Sequence, residues 1–364
     1  MSDSVLEFPV QPKTVEDGTA ECRRVALRTG VTLNVAFAGD PANPPVILLH
    51  GFPESHRTWR EVAPRLQERF YVIMPDQRGF GGSDKPQDVA AYRTDVLVDD
   101  VFALADAVGV EQFALVGHDW GGLVAWQAAL RGDPRVRRLA IVDAPHPLIY
   151  QKTLIESPEQ RAASQYVTAF RSPGFDTMVE AKGFDWFFDT SFAPHVDIAK
   201  VTAAERQQYI DDWSQPGAFS AMLNWYRAAR FVVPPPGESA QLPDWVLKPF
   251  PKVEVPTLVI WGMKDFALAP VQLDGLDARV EDLTIVRLPG VGHFAPWEAG
   301  EQVAEALAPF LAATGPVTPK IAHDPSLCAV WSPGATQPSS RPLQRSPIGW
   351  RLIWKTFKTL VHNK

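Results

Sequence analysis

The stretch Phe113-Ala-Leu-Val-Gly-His-Asp119-Trp-Gly-Gly-Leu-Val-Ala-Trp126 decides the fold. An apolar strand runs into Gly117-x-Asp119-x-Gly121, and an apolar helix follows. Strand, tight turn and helix with a reactive side chain at the apex make a nucleophile elbow. A serine at the apex points to acyl transfer. A carboxylate points instead to attack on a carbon that can lose oxygen or halide, leaving an ester between substrate and protein. The structural alternative is an aspartate that only caps the helix after it.

Outward from this elbow, strand and helix patterns alternate. Arg23–Leu27 and Val31–Ala38, separated by Thr29-Gly30, read as a strand pair, and Pro45–His50 as a short buried strand. Ser55–Phe70 has a helical period, with Trp59, Val62, Leu66 and Phe70 on one side. Tyr71–Met74 is a strand, Asp95–Val108 a helix, Gly122–Leu130 a helix and Val136–Val142 a sixth strand. This alternation predicts a mostly parallel sheet flanked by helices. From about Leu148 to Leu247 the rhythm becomes helical and rich in aromatics, closing on Val233-Pro-Pro-Pro-Gly237. Alternation resumes with Pro256–Trp261, Leu283–Leu288 and a helix over Trp297–Leu311. Length alone suggests about two domains. The order of elements favours one α/β core, residues 1–147 and 248–315, interrupted after its sixth strand by a helical cap over 148–247.

Residues 316–347 hold seven prolines among Ser, Gly and Gln and read as a linker. Beyond it Trp350, Ile353, Trp354, Phe357, Leu360 and Val361 share one helical face, opposite Arg351, Lys355, Lys358 and His362. For that short basic amphipathic helix three readings stay open: contact with an anionic membrane surface, docking on the acidic body of the chain itself, or an extension without function. The chain carries a net −7, with +6 from Pro316 onward and −13 on residues 1–315. An acidic body makes nucleic acid an unlikely partner. The two cysteines, Cys22 and Cys328, neither staple a small fold nor make a metal site. With no basic-then-apolar leader over Met1–Gly18, a cytoplasmic location is the default expectation.

Two further residues sit where open α/β sheets place their chemistry, just beyond strand C-termini. His293 lies in Pro289-Gly-Val-Gly-His-Phe294, after the strand Leu283–Leu288. Asp265 lies in Ile260-Trp-Gly-Met-Lys-Asp265, likewise after a strand. Each alone has a plain reading as a loop histidine or a turn-forming aspartate. The order nucleophile, acid, histidine is the one an elbow of this kind uses. After Pro45–Leu49 comes His50-Gly-Phe-Pro-Glu-Ser55, whose Phe52 amide, with that of Trp120, suits an oxyanion hole. His50 is assigned to bracing this loop. The Phe52-Pro53 bond is a candidate cis peptide.

Together, His50-Gly-Phe-Pro-Glu-Ser, Asp76-Gln-Arg-Gly-Phe-Gly-Gly-Ser-Asp-Lys-Pro, Gly117-His-Asp-Trp-Gly-Gly and Gly292-His-Phe resemble the α/β-hydrolase-fold epoxide hydrolases over roughly Arg24 to Leu311. Haloalkane dehalogenases share the aspartate nucleophile and often the Asp-Trp pair. The resemblance implies a small-molecule epoxide and water as substrates and an alkyl-enzyme ester on Asp119. It also implies two cap tyrosines that hold the epoxide oxygen. Ala221-Met-Leu-Asn-Trp-Tyr226-Arg227 is similar to the second tyrosine motif, and Ser164-Gln-Tyr166 through Pro173 to the first. An opened epoxide is an alkoxide, a poor leaving group, and neutral phenols can hydrogen-bond or protonate it.

Tyr150 and Tyr209 are assigned to cap packing. Phe184, Trp186, Phe187, Phe188 and Trp225 are expected in the cap's own core, some of them, Trp225 foremost, walling an apolar slot for a lipophilic epoxide. The glycines of Arg78-Gly-Phe-Gly-Gly-Ser83 lack the spacing of phosphate-binding motifs and read as a structural turn. No cluster has metal-ligand spacing, and no cofactor is implied. Two rival readings stay open: a dehalogenase using the same aspartate, and a binding protein that keeps the fold without turnover.

Overall fold

The computed structural model describes residues 20–313 and the backbone of Lys13–Thr14. The proline-rich segment and basic amphipathic helix expected after Pro316 lie outside the described residues. Nine strands form one sheet in the order β1-β2-β3-β5-β4-β6-β7-β8-β9. They are β1 Lys13–Thr14, β2 Glu21–Ala26, β3 Thr32–Ala38, β4 Pro45–Leu49, β5 Tyr71–Pro75, β6 Phe113–His118, β7 Val136–Val142, β8 Thr257–Gly262 and β9 Leu283–Leu288. The β1/β2, β2/β3 and β3/β5 pairs are antiparallel, and every pair from β5 through β9 is parallel. The helical insert follows the sixth strand read from the sequence. The two-residue β1 makes that strand the seventh.

The central strands are apolar throughout because both faces are covered. Along β4, Ile47 and Leu49 face one hydrophobic cluster while Val46 and Leu48 face the other. The same alternation holds in β7, with Leu139 and Ile141 against Ala140 and Val142. One face is covered by Trp59, Val62, Leu66 and Phe70 together with Val303, Leu307 and Phe310 of the helix Gly300–Ala312. The other is covered by the helices Thr94–Ala107 and Trp120–Leu130. Each fully buried aliphatic or aromatic side chain contributes roughly 1.5–3 kcal/mol by leaving water.

Several expected helices are broken at identifiable residues. Ser55–Phe70 is a 3-10 turn over His56–Trp59 and a one-turn helix over Ala63–Leu66. Pro64 lacks the N–H that a continuous helix would donate backward, so it begins a new helix instead. The buried face read from the sequence nonetheless holds, with Trp59, Val62 and Leu66 fully covered. Gly183, at φ 88°, separates Phe175–Lys182 from Phe184–Phe187 within the stretch whose rhythm reads as helical. Within the insert, Thr202 and Glu205 form a reciprocal capping box at the start of Ala203–Ser214. The insert helices meet the loops at the C-terminal ends of β4 and β5. Trp213 Nε1 donates to the Pro53 carbonyl (2.8 Å) and Trp225 Nε1 to that of Arg78 (3.0 Å). Among the described residues no helix is long and apolar enough to cross a membrane.

Candidate active site

Asp119 stands between β6 and the helix Trp120–Leu130 with φ 49° and ψ −118°. A non-glycine residue held there stores about 1–3 kcal/mol of backbone strain. Neighbouring glycines make the turn possible. A Cβ on Gly117 would come 2.4 Å from the Gly121 carbonyl oxygen, and one on Gly121 would come 2.3 Å from that of Leu49. Asp119 makes no side-chain bond to its helix, which removes the capping explanation for it. Its Oδ1 accepts a 2.8 Å hydrogen bond from the Phe52 amide. Gly51 permits that approach, since a Cβ there would lie 2.5 Å from Asp119 Cβ. The Phe52-Pro53 peptide is cis. The Trp120 amide is the first of its helix and one of the donors a helix leaves without an internal acceptor.

Adjacent parallel strands β6, β7, β8 and β9 each deliver one titratable group at their C-terminal ends: Asp119, Asp143, Asp265 and His293. His293 Nε2 is 3.5 Å from Asp119 Oδ2, and Nδ1 donates to Asp265 Oδ2 at 2.8 Å. Asp265 Oδ1 accepts from the amides of Ala267 (2.7 Å) and Leu268 (2.8 Å), which fixes its plane. Glu298 holds the histidine loop by accepting from the amides of Gly292 (2.9 Å) and Phe294 (3.1 Å).

The charges follow from this packing. Burial opposes a charge on His293, yet the carboxylates of Asp265 and Asp119 hold its imidazole well above the usual histidine value. Burial likewise raises the Asp119 carboxyl, but His293, His118 and the Phe52 amide more than offset it, leaving Asp119 below its ordinary value. The imidazole thus lies between two carboxyl groups, 2.8 Å from Asp265 and 3.5 Å from Asp119.

Over Asp119 lies a small cavity of about 20 Å³. Tyr166 and Tyr226 from the insert line it together with Trp120, and Leu123, Val167 and Leu268 supply apolar wall. The two phenol rings meet edge to face at 6.1 Å. Burial, then the Asp119 charge, pushes the Tyr226 phenol well above 10, a hydrogen bond with the Trp120 side chain offsetting part of this. Burial does the same to Tyr166, reinforced by Tyr226. Both phenols are protonated and able to donate at neutral pH. Among the described residues no group of His, Cys, Asp or Glu is placed to hold a metal ion.

Two side chains stand elsewhere than the sequence suggested. Trp225 does not line the cavity. Its indole turns away to the Arg78 carbonyl, and its ring packs edge-on against Phe80 (5.4 Å) and Trp120 (5.8 Å), behind the site. Tyr150, expected only to pack, lines the cavity with its hydroxyl 3.2 Å from Ser164 Oγ. His50 braces its loop: Nε2 accepts from the Gln77 amide (2.9 Å), Nδ1 faces the Gly51 carbonyl (2.8 Å), and burial lowers its pKa.

Two further neighbours of the site stand outside the motifs read from the sequence. His118 Nε2 donates to the His293 carbonyl (2.8 Å) while Nδ1 stands 3.4 Å from Glu54 Oε2, both side chains fully buried. Asp143 has φ 43°, accepts from the Gly262 amide (2.6 Å) through Oδ1, and leaves Oδ2 without a hydrogen-bond partner. Burial, then the nearby Asp265 charge, pushes its carboxyl well above the usual range. The strand-end rule that singled out Asp265 and His293 applies equally to Asp143, directly after Val142.

A family model described as alpha/beta hydrolase fold matches residues 44–300. The chain is similar to the AB hydrolase superfamily protein YfhM of Bacillus subtilis, 36% identical over 65% of this chain and 79% of that one. It is similar to epoxide hydrolase A of Mycobacterium tuberculosis, 31% identical over 80% of this chain and 98% of the other. Among solved structures it is similar to one described as novel epoxide hydrolases from metagenomes of hot environments. That likeness has a TM-score of 0.76 and 45% identity, and covers 81% of this chain and 100% of the other. The chain belongs to the alpha/beta hydrolase fold family, among its epoxide hydrolases.

Proposed function

We propose that the chain converts a lipophilic epoxide to a vicinal diol in two half-reactions through an ester on Asp119. One observation carries this reading: the two oxygens of Asp119 are differently engaged beneath two neutral phenols. Oδ1 rests on the Phe52 amide, and Oδ2 faces His293 at 3.5 Å. On this reading residues 148–247 act as a cap that brings Tyr166 and Tyr226 over the nucleophile.

In the first half-reaction Oδ2 attacks a ring carbon from the side opposite its C–O bond. Tyr166 and Tyr226 hold the departing oxygen, and one of them gives it a proton. The product is a hydroxyalkyl ester with Oδ1 as its carbonyl oxygen. In the second, His293, oriented by Asp265, takes a proton from water as that water attacks the ester carbonyl carbon. Negative charge develops on Oδ1 between the Phe52 and Trp120 amides, each worth about 3–4 kcal/mol at that point. Collapse expels the diol oxygen, which takes the proton from His293; Asp119 is regenerated with one oxygen from water, and that water's second proton returns to the tyrosine that gave one up. Esterification also neutralises one of the two carboxylates that raise the His293 pKa. The imidazole thereby becomes a better base when a base is required.

A panel of terminal epoxides and haloalkanes, with diol and halide both quantified, tests the reading. Diol from epoxides without halide release supports it. Halide release with no diol would replace it by the dehalogenase reading, and neither product by a non-catalytic binding role.

A further inference from the structure

The cavity over Asp119, about 20 Å³, has room for no more than about one water molecule. The rest of any substrate must lie elsewhere. Outside it opens a groove of about 390 Å³ with Trp245, Phe250, Pro147 and Gln127 in its walls. Phe231, half-buried, lines both spaces, and no other residue lines the two together.

The backbone carrying Phe231 is pinned. It follows the helix Ala218–Ala228, and the Arg171 guanidinium donates to the carbonyls of Tyr226 (2.8 Å), Ala229 (2.9 Å) and Phe231 (2.7 Å). Gln151 then holds Val232 by both backbone groups, accepting from its amide (2.8 Å) and donating to its carbonyl (3.0 Å). Opening a way between the two spaces therefore falls to the Phe231 side chain, which packs edge-on against Tyr150 at 5.0 Å. The groove beyond offers Trp245 and Phe250, ring centroids 6.3 Å apart, within the range in which aromatic groups pair.

We propose that Phe231 is the gate between the Asp119 cavity and this groove, and that the groove holds the aryl end of the epoxide while its ring reacts at Asp119. This rests on the epoxide reading above.

Glycidyl ethers of increasing size (methyl, phenyl, biphenyl) test it in the full-length protein. The biphenyl-to-methyl ratio of kcat/KM is expected to rise about tenfold in Phe231→Ala, to fall in Phe231→Trp, and to fall in Trp245→Ala. Ratios within about twofold of wild type in both Phe231 variants would overturn the gate. Dissociation constants of the corresponding diols, measured by calorimetry on the same variants, need no turnover. An absence of epoxide hydrolysis would therefore strike the epoxide reading alone, while the diol ratios still decide the gate.

Discussion

The Phe52 amide donates to Oδ1 of Asp119 across 2.8 Å, from a loop 67 residues away in sequence. The donor that is to stabilise the oxyanion is thus already on the atom that will carry the charge. No reorganisation is needed when the tetrahedral species forms. Gly51 is what allows this contact, so Gly51→Ala should displace the loop and remove the donor. Loss of one such donor costs about 10²–10³ in rate. Single-turnover kinetics should show that loss in ester hydrolysis. A Gly51→Ala protein with wild-type ester hydrolysis would refute the role of the Phe52 amide.

His293 should titrate differently once Asp119 is neutral. Its pKa is raised by Asp265 and by Asp119, so Asp119→Asn should move its midpoint down, toward the value of an ordinary histidine. Imidazole NMR titration of the two proteins checks this. The same direction applies in the ester intermediate. The rate of ester hydrolysis should rise with pH at a lower midpoint than His293 shows in the free protein. An unchanged midpoint in Asp119→Asn would mean that the 3.5 Å approach of His293 to Asp119 carries no electrostatic coupling.

The tyrosines should matter for alkylation alone. Replacing both Tyr166 and Tyr226 by Phe is expected to slow ester formation by about 10²–10⁴ while leaving ester hydrolysis nearly intact. Both phenols titrate well above 10, so ester formation should persist through pH 10 without an alkaline fall caused by their ionisation. Rapid-quench measurement of the two half-reactions separates the effects.

A buried ion pair away from the site should govern alkaline stability. His56 Nδ1 meets Asp76 Oδ1 at 2.7 Å. Despite burial, which lowers it, Asp76 raises the His56 imidazole from 6.5 to about 9. A folded value above the unfolded one means stability fully present below about pH 6.5 and lost as pH rises toward about 9, on the order of 3 kcal/mol in all. Urea unfolding of wild type at pH 6, 7.5 and 9 should show this slope, and His56→Asn should lack it.

The elbow was legible because its signal is local: Gly117 and Gly121 flank Asp119, and close backbone contacts leave no room for a Cβ at either. Asp265 and His293 were legible because strand C-termini are predictable from apolar runs bounded by turn residues. The interruptions at Pro64 and Gly183 carried local signals that the apolar period concealed. Which way an insert side chain points is another matter. Tyr150 and Trp225 are both buried aromatics on helices, yet Tyr150 lines the cavity while Trp225 faces the Arg78 carbonyl. That difference comes from how the helices dock on the sheet, and no periodicity encodes it. The His118–Glu54 contact is equally non-local, joining residues 64 positions apart.

Mass spectrometry of the His293→Gln protein after incubation with epoxide reads the ester on Asp119 itself. The peptide containing Asp119 should gain the mass of the epoxide, and the adduct should persist, since alkylation needs no base and hydrolysis does. Normal turnover by His293→Gln with no adduct on that peptide would contradict it.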